Sequence, residues 1–178
     1  SIDSPRDDAF GQAVFSRHPF ITEPKLYPPV GSFSEPQISV EVELGGRALR
    51  VTDVHLLPPA GLGMFAEQRE GARRLSEWST GGSRGDRPHV LMGDFNATAG
   101  TSVVSRISGG NYREAHESVG RGRGSTWPRL GFLRHFPGVR LDNALVSNQL
   151  LVLEATLGDD FGSDHRPAVV RVGWNGSR

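Results

Sequence analysis

Two rhythms of apolar and polar positions run along the 178-residue chain, and each predicts a type of element. Ile38-Ser39-Val40-Glu41-Val42-Glu43-Leu44 alternates apolar and polar residues, the period of a half-buried strand. Gly45-Gly46 follows, then a run over 48–56 rich in β-branched residues, so two strands joined by a Gly-Gly turn are predicted. Over 62–78 the rhythm changes. Met64, Phe65, Gln68, Ala72, Leu75 and Trp78 fall near helical spacing, while Glu67, Arg69, Glu70 and Arg73 supply a wet face. Shorter apolar runs predict strands over 12–16, closed by Arg17-His18-Pro19, and over 89–92, 141–146, 151–157 and 167–172. A short helix is predicted over 101–107. The segments 23–36, with four prolines, 81–87, and 120–138, rich in Gly and Arg, read as loops, and 175–178 as a frayed tail. Several strands, one firm helix and long loops predict an α+β fold of stacked sheets with helices outside.

Composition narrows the partners more than the fold. The length suits one domain with a real core, and 36% apolar residues is ordinary for a soluble globular protein. No apolar run is long enough for a membrane span, and the first residues are too polar for a signal peptide. Basic and acidic residues balance at 20 each, which argues weakly against non-specific nucleic-acid binding. Lys25 is the one lysine; the other basic residues are Arg, a side chain suited to bidentate phosphate contacts or simply a mark of base composition. The absence of cysteine excludes disulfides, thiolate metal sites and Cys nucleophiles, and suits an oxidising compartment as well as a cytosolic one.

Five segments could carry chemistry. Val90-Leu91-Met92 buries itself and delivers Gly93-Asp94-Phe95-Asn96 at its open end, and Asp94 and Asn96 share a face if the strand continues. A carboxylate there can take a proton from water or bind a metal, and an amide can donate to a phosphoryl oxygen; the same residues also make turns. Gly162-Ser163-Asp164-His165-Arg166-Pro167 places an Asp and a His together at the irregular start of a strand, where Asp164 suits a hard divalent cation. It could equally be a solvated loop. His55, in Val51-Thr52-Asp53-Val54-His55-Leu56, shares a face with Asp53, although a lone strand His is more often structural. Asp142, inside the apolar run Leu141-Asp142-Asn143-Ala144-Leu145-Val146, is costly to bury without a partner, and His165 would be that partner. Finally, Gly122-Arg123-Gly124-Ser125-Thr126-Trp127-Pro128 belongs to a segment, 119–141, with five Arg, one His and no acid; Trp127 could stack on a substrate, although most basic loops are merely solvated.

Taken in order, these pieces, with Gly11-Gln12-Ala13-Val14-Phe15-Ser16-Arg17-His18-Pro19 and Arg140-Leu141-Asp142, resemble the endonuclease/exonuclease/phosphatase superfamily of apurinic endonucleases, pancreatic-type deoxyribonucleases, neutral sphingomyelinases and inositol polyphosphate phosphatases. The resemblance implies a four-layer α/β/β/α sandwich, two packed β-sheets flanked by helices, with the site at one rim. It implies a divalent-metal-dependent phosphoesterase in which Asp94 activates water and Asn96 holds the phosphate or the nucleophile. Asp164 would bind Mg²⁺, with Mn²⁺ as an alternative. His165 would contact the scissile phosphate, steadied by Asp142, and His55 would stabilise the transition state or protonate the leaving oxygen. Thr126, Trp127 and Arg140 would bind substrate. Charge neutralisation, in-line positioning and a proton route are what phosphoryl transfer needs.

The sequence departs from the family at its start. The family opens with a strand ending in Asn and another bearing the main metal-binding Glu, both well upstream of the Ser-Arg-His-Pro stretch. Here ten residues precede Gly11, and Asp3, Asp7 and Asp8 match no motif. The expectation is a fold lacking N-terminal strands, a poor catalyst as an isolated piece, with bare sheet edges that favour self-association. The Gly-Arg-Gly-Ser-Thr-Trp-Pro segment and the lack of Cys look most like a bacterial branch linked to glycopeptide resistance. That likeness implies an extracytoplasmic domain anchored to the membrane through a region upstream, and a lipid-linked phosphate or pyrophosphate as substrate; otherwise a cytoplasmic location is expected. A nuclease acting on nucleic-acid phosphodiesters and an inactive interaction module are the competing readings.

Overall fold

A computed structural model describes residues 1–7, 10–27, 36–81 and 87–176, and of Arg134 the backbone alone. The expected loop at 81–87, most of that at 23–36, Asp8 and the last two residues lie outside the described residues. The strands are β1 (Ile2–Ser4), β2 (Gln12–Val14), β3 (Lys25–Tyr27), β4 (Gln37–Leu44), β5 (Arg47–His55), β6 (His89–Asp94), β7 (Tyr112–Glu114), β8 (Asp142–Ser147), β9 (Leu150–Leu157) and β10 (Ala168–Trp174). The helices are α1 (Leu62–Thr80), α2 (Ser102–Ser108) and α3 (Ala115–Val119), with a 3₁₀ turn at Gly131–His135.

A six-stranded sheet in the order β3-β4-β5-β6-β8-β7 is the centre of the molecule. β4 and β5 form the expected hairpin, in which Leu44 pairs with Arg47 across Gly45-Gly46. Both glycines have positive φ, 61° and 77°, as a tight two-residue hairpin turn requires. β5 and β6 run parallel, joined by α1, and β8 runs antiparallel to β6. Strand alternation then sorts side chains onto two faces. Val54, Leu91 and Leu145 pack against Ala72 and Leu75 of α1 and Val103, Val104 and Ile107 of α2. The opposite face, including Val42, Val90, Ala144 and Val146, packs against Leu150, Ala155, Val170 and Val172 of the β9–β10 ribbon. Each such fully buried aliphatic side chain contributes about 1.5–3 kcal/mol relative to exposure. Helices lie against one sheet and a second sheet packs on the first, the sandwich expected from the sequence. No helix among the described residues is long and apolar enough to cross a membrane.

The differences from the sequence reading are local. The strand expected over 12–16 stops at Val14 and pairs with β1, a partner too short to show a period. β3 falls in a segment read as loop, and β7 and α3 had no apolar run long enough to mark them. On α1, Phe65 is 43% exposed, with the Arg69 guanidinium over its ring, whereas Gln68 is buried. At Gly93 the backbone φ is 138°, and a Cβ would lie 2.2 Å from the Val54 carbonyl oxygen. Gly93→Ala should therefore cost at least about 3 kcal/mol, since both strain and a backbone clash must be relieved. A urea midpoint equal to that of the parent protein would contradict this.

Candidate active site

The sheet register explains why residues far apart in sequence meet. In β5 and β6, His55 pairs with Asp94; in β6 and β8, Asp94 pairs with Asp142. Paired residues on neighbouring strands project on the same face, so three adjacent strands present His55, Asp94 and Asp142 as a row at one rim. The β9–β10 connection adds Asp164 and His165. All five, with Asn96, Trp127, Phe10, Pro58, Pro59, Val139 and Leu141, line one cavity of about 660 Å³.

Each group is held by identifiable partners. Asp142 Oδ2 lies 2.7 Å from His165 Nδ1, the pairing that an Asp in an apolar strand needs. That hydrogen bond raises the His165 pKa and outweighs the opposing effect of its burial. The Asp94 pKa is also raised, chiefly by burial and partly by the nearby Asp142. Asn96 does not continue the strand: it takes a left-handed conformation, φ 46°. The turn still brings it to Asp94, because its backbone N–H donates to Asp94 Oδ1 (2.7 Å) and its amide nitrogen to Asp94 Oδ2 (3.1 Å). His55 Nε2 is 3.9 Å from Asp94 Oδ2, and its ring stacks on Phe10 at 5.2 Å between centroids.

Sequence reasoning missed the residues that brace this row. Gln37 accepts from the His55 N–H (3.0 Å) and donates to its carbonyl (3.3 Å), pairing the end of β5 where the β4 backbone runs out. Gln68 donates to the carbonyls of Phe95 and Asn96. Asn143 donates to those of Ala97 and Leu141. A Gln on the apolar stripe of a helix, and an Asn inside an apolar strand, were the available signals.

Two expected substrate-binding residues are corrected. Thr126 is 0% exposed, and its hydroxyl accepts from the Leu141 and Asp142 N–H groups, so it fixes the start of β8 and cannot touch a ligand in the cavity. Arg140 is nearly buried and pairs with Glu114 Oε2 at 3.0 Å, away from the cavity lining. Trp127 does line the cavity, as does Asp164. Asp3 and Asp7 are not among the lining residues.

The profile of the Endonuclease/Exonuclease/phosphatase family matches residues 2–165, and the chain belongs to that family. Its members are hydrolases of phosphate esters, phosphatases and nucleases among them. A comparison with curated protein sequences gives no match. Among solved structures, an endonuclease/exonuclease/phosphatase from Beutenbergia cavernae DSM 12333 superposes with a TM-score of 0.76 at 22% identity, covering 91% of this chain and 47% of that one. The chain thus spans about half the length of that neighbour. The mannosyl-6-phosphatase of Bacteroides thetaiotaomicron VPI-5482 gives 0.65 at 18% identity over 88% of this chain and 67% of its own. A Neisseria 3′ phosphatase bound to product DNA hairpin gives 0.67 at 16%, over 89% and 73%. At these identities the likeness is one of fold.

Proposed function

We propose that this protein hydrolyses a phosphate ester or pyrophosphate by in-line attack of water, with a divalent metal ion, and that the row His55, Asp94, Asp142 with His165 is its catalytic centre. The observation that carries the reading is the His165–Asp142 hydrogen bond in the same cavity as the Asp94–Asn96 pair. Donation of Nδ1–H to Asp142 leaves His165 Nε2 to meet a phosphoryl oxygen, and the raised pKa favours the cationic ring that best stabilises the charge developing there. Asp94, made more basic by burial, takes a proton from the attacking water as the new O–P bond forms. The old ester P–O bond breaks, and His55, on the other side of Asp94, gives the departing oxygen its proton. Asn96 fixes the Asp94 carboxylate and stands beside the attacking water.

Among the described residues no three His, Asp or Glu side chains gather as a metal cage. Mg²⁺ takes one or two carboxylates, with water and substrate oxygens completing its shell. Asp164, a carboxylate lining the cavity, fits that mode, with Asp94 nearest to share it, and Mn²⁺ would be held in the same way. The ion would supply charge neutralisation at the phosphate. Phosphate release from a panel of monoesters, pyrophosphates and oligonucleotides, with Mg²⁺ and with chelator, tests the proposal. Turnover is expected with Mg²⁺ and its loss with chelator; no release from any substrate would refute it. The balanced net charge favours a small or lipid-linked ester over the nuclease reading, which has the DNA-bound Neisseria neighbour in its support.

A further inference from the structure

The segment 128–138 leaves and re-enters the fold at the cavity itself. Trp127 and Val139 pair as an antiparallel bridge, each N–H bonding the other's carbonyl, and both line the cavity. Next to that bridge, the Arg129 N–H donates to the Asp164 carbonyl (2.8 Å) and the Arg166 N–H to that of Thr126 (2.9 Å). The base of the excursion is therefore bound to the loop that carries Asp164 and His165. Its tip is the 3₁₀ turn, and there the usual sorting of apolar residues is reversed. Phe132 is 74% exposed and Phe136 52%, with Leu130 and Leu133 similarly bare. Four large apolar side chains within seven residues, none of them covered, make a contiguous patch, which calls for a partner more than scattered exposure does. The flanks are cationic: 119–141 holds no acid, and Arg121 and Arg123 are exposed.

We propose that this excursion docks the mouth of the cavity onto an anionic lipid surface, so that the phosphate ester is taken from a lipid headgroup. The substrate half of the proposal rests on the phosphoesterase reading above; the docking half does not. Apolar side chains that enter the acyl boundary beside arginines that meet anionic headgroups are the two components interfacial binding combines. The apolar component also distinguishes lipid from single-stranded nucleic acid. Bases stack on aromatic faces, but Leu130 and Leu133 have none, and Phe132 and Phe136 pack on each other edge to face, with centroids 4.9 Å apart.

Co-sedimentation with vesicles of phosphatidylcholine alone, and of phosphatidylcholine mixed with phosphatidylglycerol, reads the docking without requiring turnover. The protein is expected to bind the mixed vesicles and to release them at high salt. Phe132→Ser combined with Phe136→Ser should weaken that binding at least about tenfold, from the apolar area withdrawn. Arg121→Glu with Arg123→Glu should remove the preference for the anionic mixture. Because these side chains are exposed, both variants should keep the parental melting temperature and the parental rate on a soluble aryl phosphate. Failure of the parent protein to bind either vesicle overturns the docking, even where the soluble ester is cleaved and the phosphoesterase reading stands. Unchanged binding by the Phe variant overturns it as well. So does a patch that serves a dimer or an oligonucleotide, seen as loss of either in the Phe variant with no vesicle binding by the parent. Vesicle binding without turnover of any ester supports the docking and counts against the catalytic assignment.

Discussion

Replacing Asp94 or His165 by alanine is expected to lower phosphate-ester turnover at least about a hundredfold, the typical worth of one acid–base or electrostatic group. The two losses have different origins. Asp94→Ala removes the base and leaves the Asn96 amide without the carboxylate that orients it, so the rate constant should fall with little change in KM. His165→Ala removes the donor to the phosphoryl oxygen and strands Asp142 half-buried in its strand without its partner, so a stability loss should accompany the rate loss. Asp142→Asn separates these effects. The amide can still hold the ring by accepting Nδ1–H, but the negative charge that favours the cation is gone, and the loss should lie between those of the parent and His165→Ala. Steady-state kinetics on the intact protein checks all three variants. Full turnover in both alanine variants would end the assignment.

The second large effect concerns acid. His89 lies in the core between α1 and the sheet edge, with Nε2 2.9 Å from Thr52 Oγ1 and Nδ1 2.8 Å from the Tyr112 hydroxyl. Tyr112 in turn donates to the Ser79 carbonyl, so its oxygen accepts from His89 Nδ1–H and the ring is neutral. Burial pushes the His89 pKa down to about 3, with the charge of Arg50 adding to it. The unfolded chain takes up that proton near pH 6.5. The native state is therefore favoured above pH 6.5, and the advantage drains away as pH falls toward 3, by about 5 kcal/mol in all. Asp53 acts in the opposite direction. Burial raises its pKa to about 6, so holding it ionised costs stability that appears as pH rises from about 4 to 6, some 3 kcal/mol. The histidine effect is the larger, and the parent protein should lose about 2 kcal/mol net between pH 6.5 and 3 from this pair. Asp53→Asn removes the opposing contribution. It should stabilise the protein at pH 7 by about 2 kcal/mol, since an amide is easier to bury than a carboxylate. Its acid-side slope should also steepen to the full histidine value. Urea unfolding at a series of pH values measures both, and parallel stability curves for parent and variant would contradict the argument.

Much of this architecture could be read from periodicity. The alternation of 38–44, the helical stripe of 62–78 and the apolar lead into Gly93-Asp94 each involve enough residues for the period to outweigh local ambiguity. The Asp142–His165 pairing was legible for another reason: a carboxylate in an apolar strand states its need for a partner. What could not be read follows from side-chain direction outside regular structure. Thr126 and Arg140 sit in irregular backbone, where no period tells whether a side chain turns toward the cavity or the fold, and both turn toward the fold. Asn96 reaches Asp94 through a turn and not through the strand geometry that suggested it. β1, β3 and β7 have three residues each and are defined by partners found only in three dimensions. Gln37, Gln68 and Asn143 carry no motif, because bracing a backbone requires only an amide of the right reach.

His55, Asp94 and Asp142 occupy successive rungs of one hydrogen-bonded ladder, whereas the cavity walls come from the connections at 58–61, 127–139 and 158–166. Chemistry and selectivity are thus vested in separable parts of the chain. Insertions or exchanges in those connections can reshape what enters the cavity without shifting the ladder, because the register of three strands would have to slip together to disturb the row. A lineage with this layout can change its substrate by altering loops alone, and a grafted loop should carry its preference with it while the bond-breaking apparatus stays as it was.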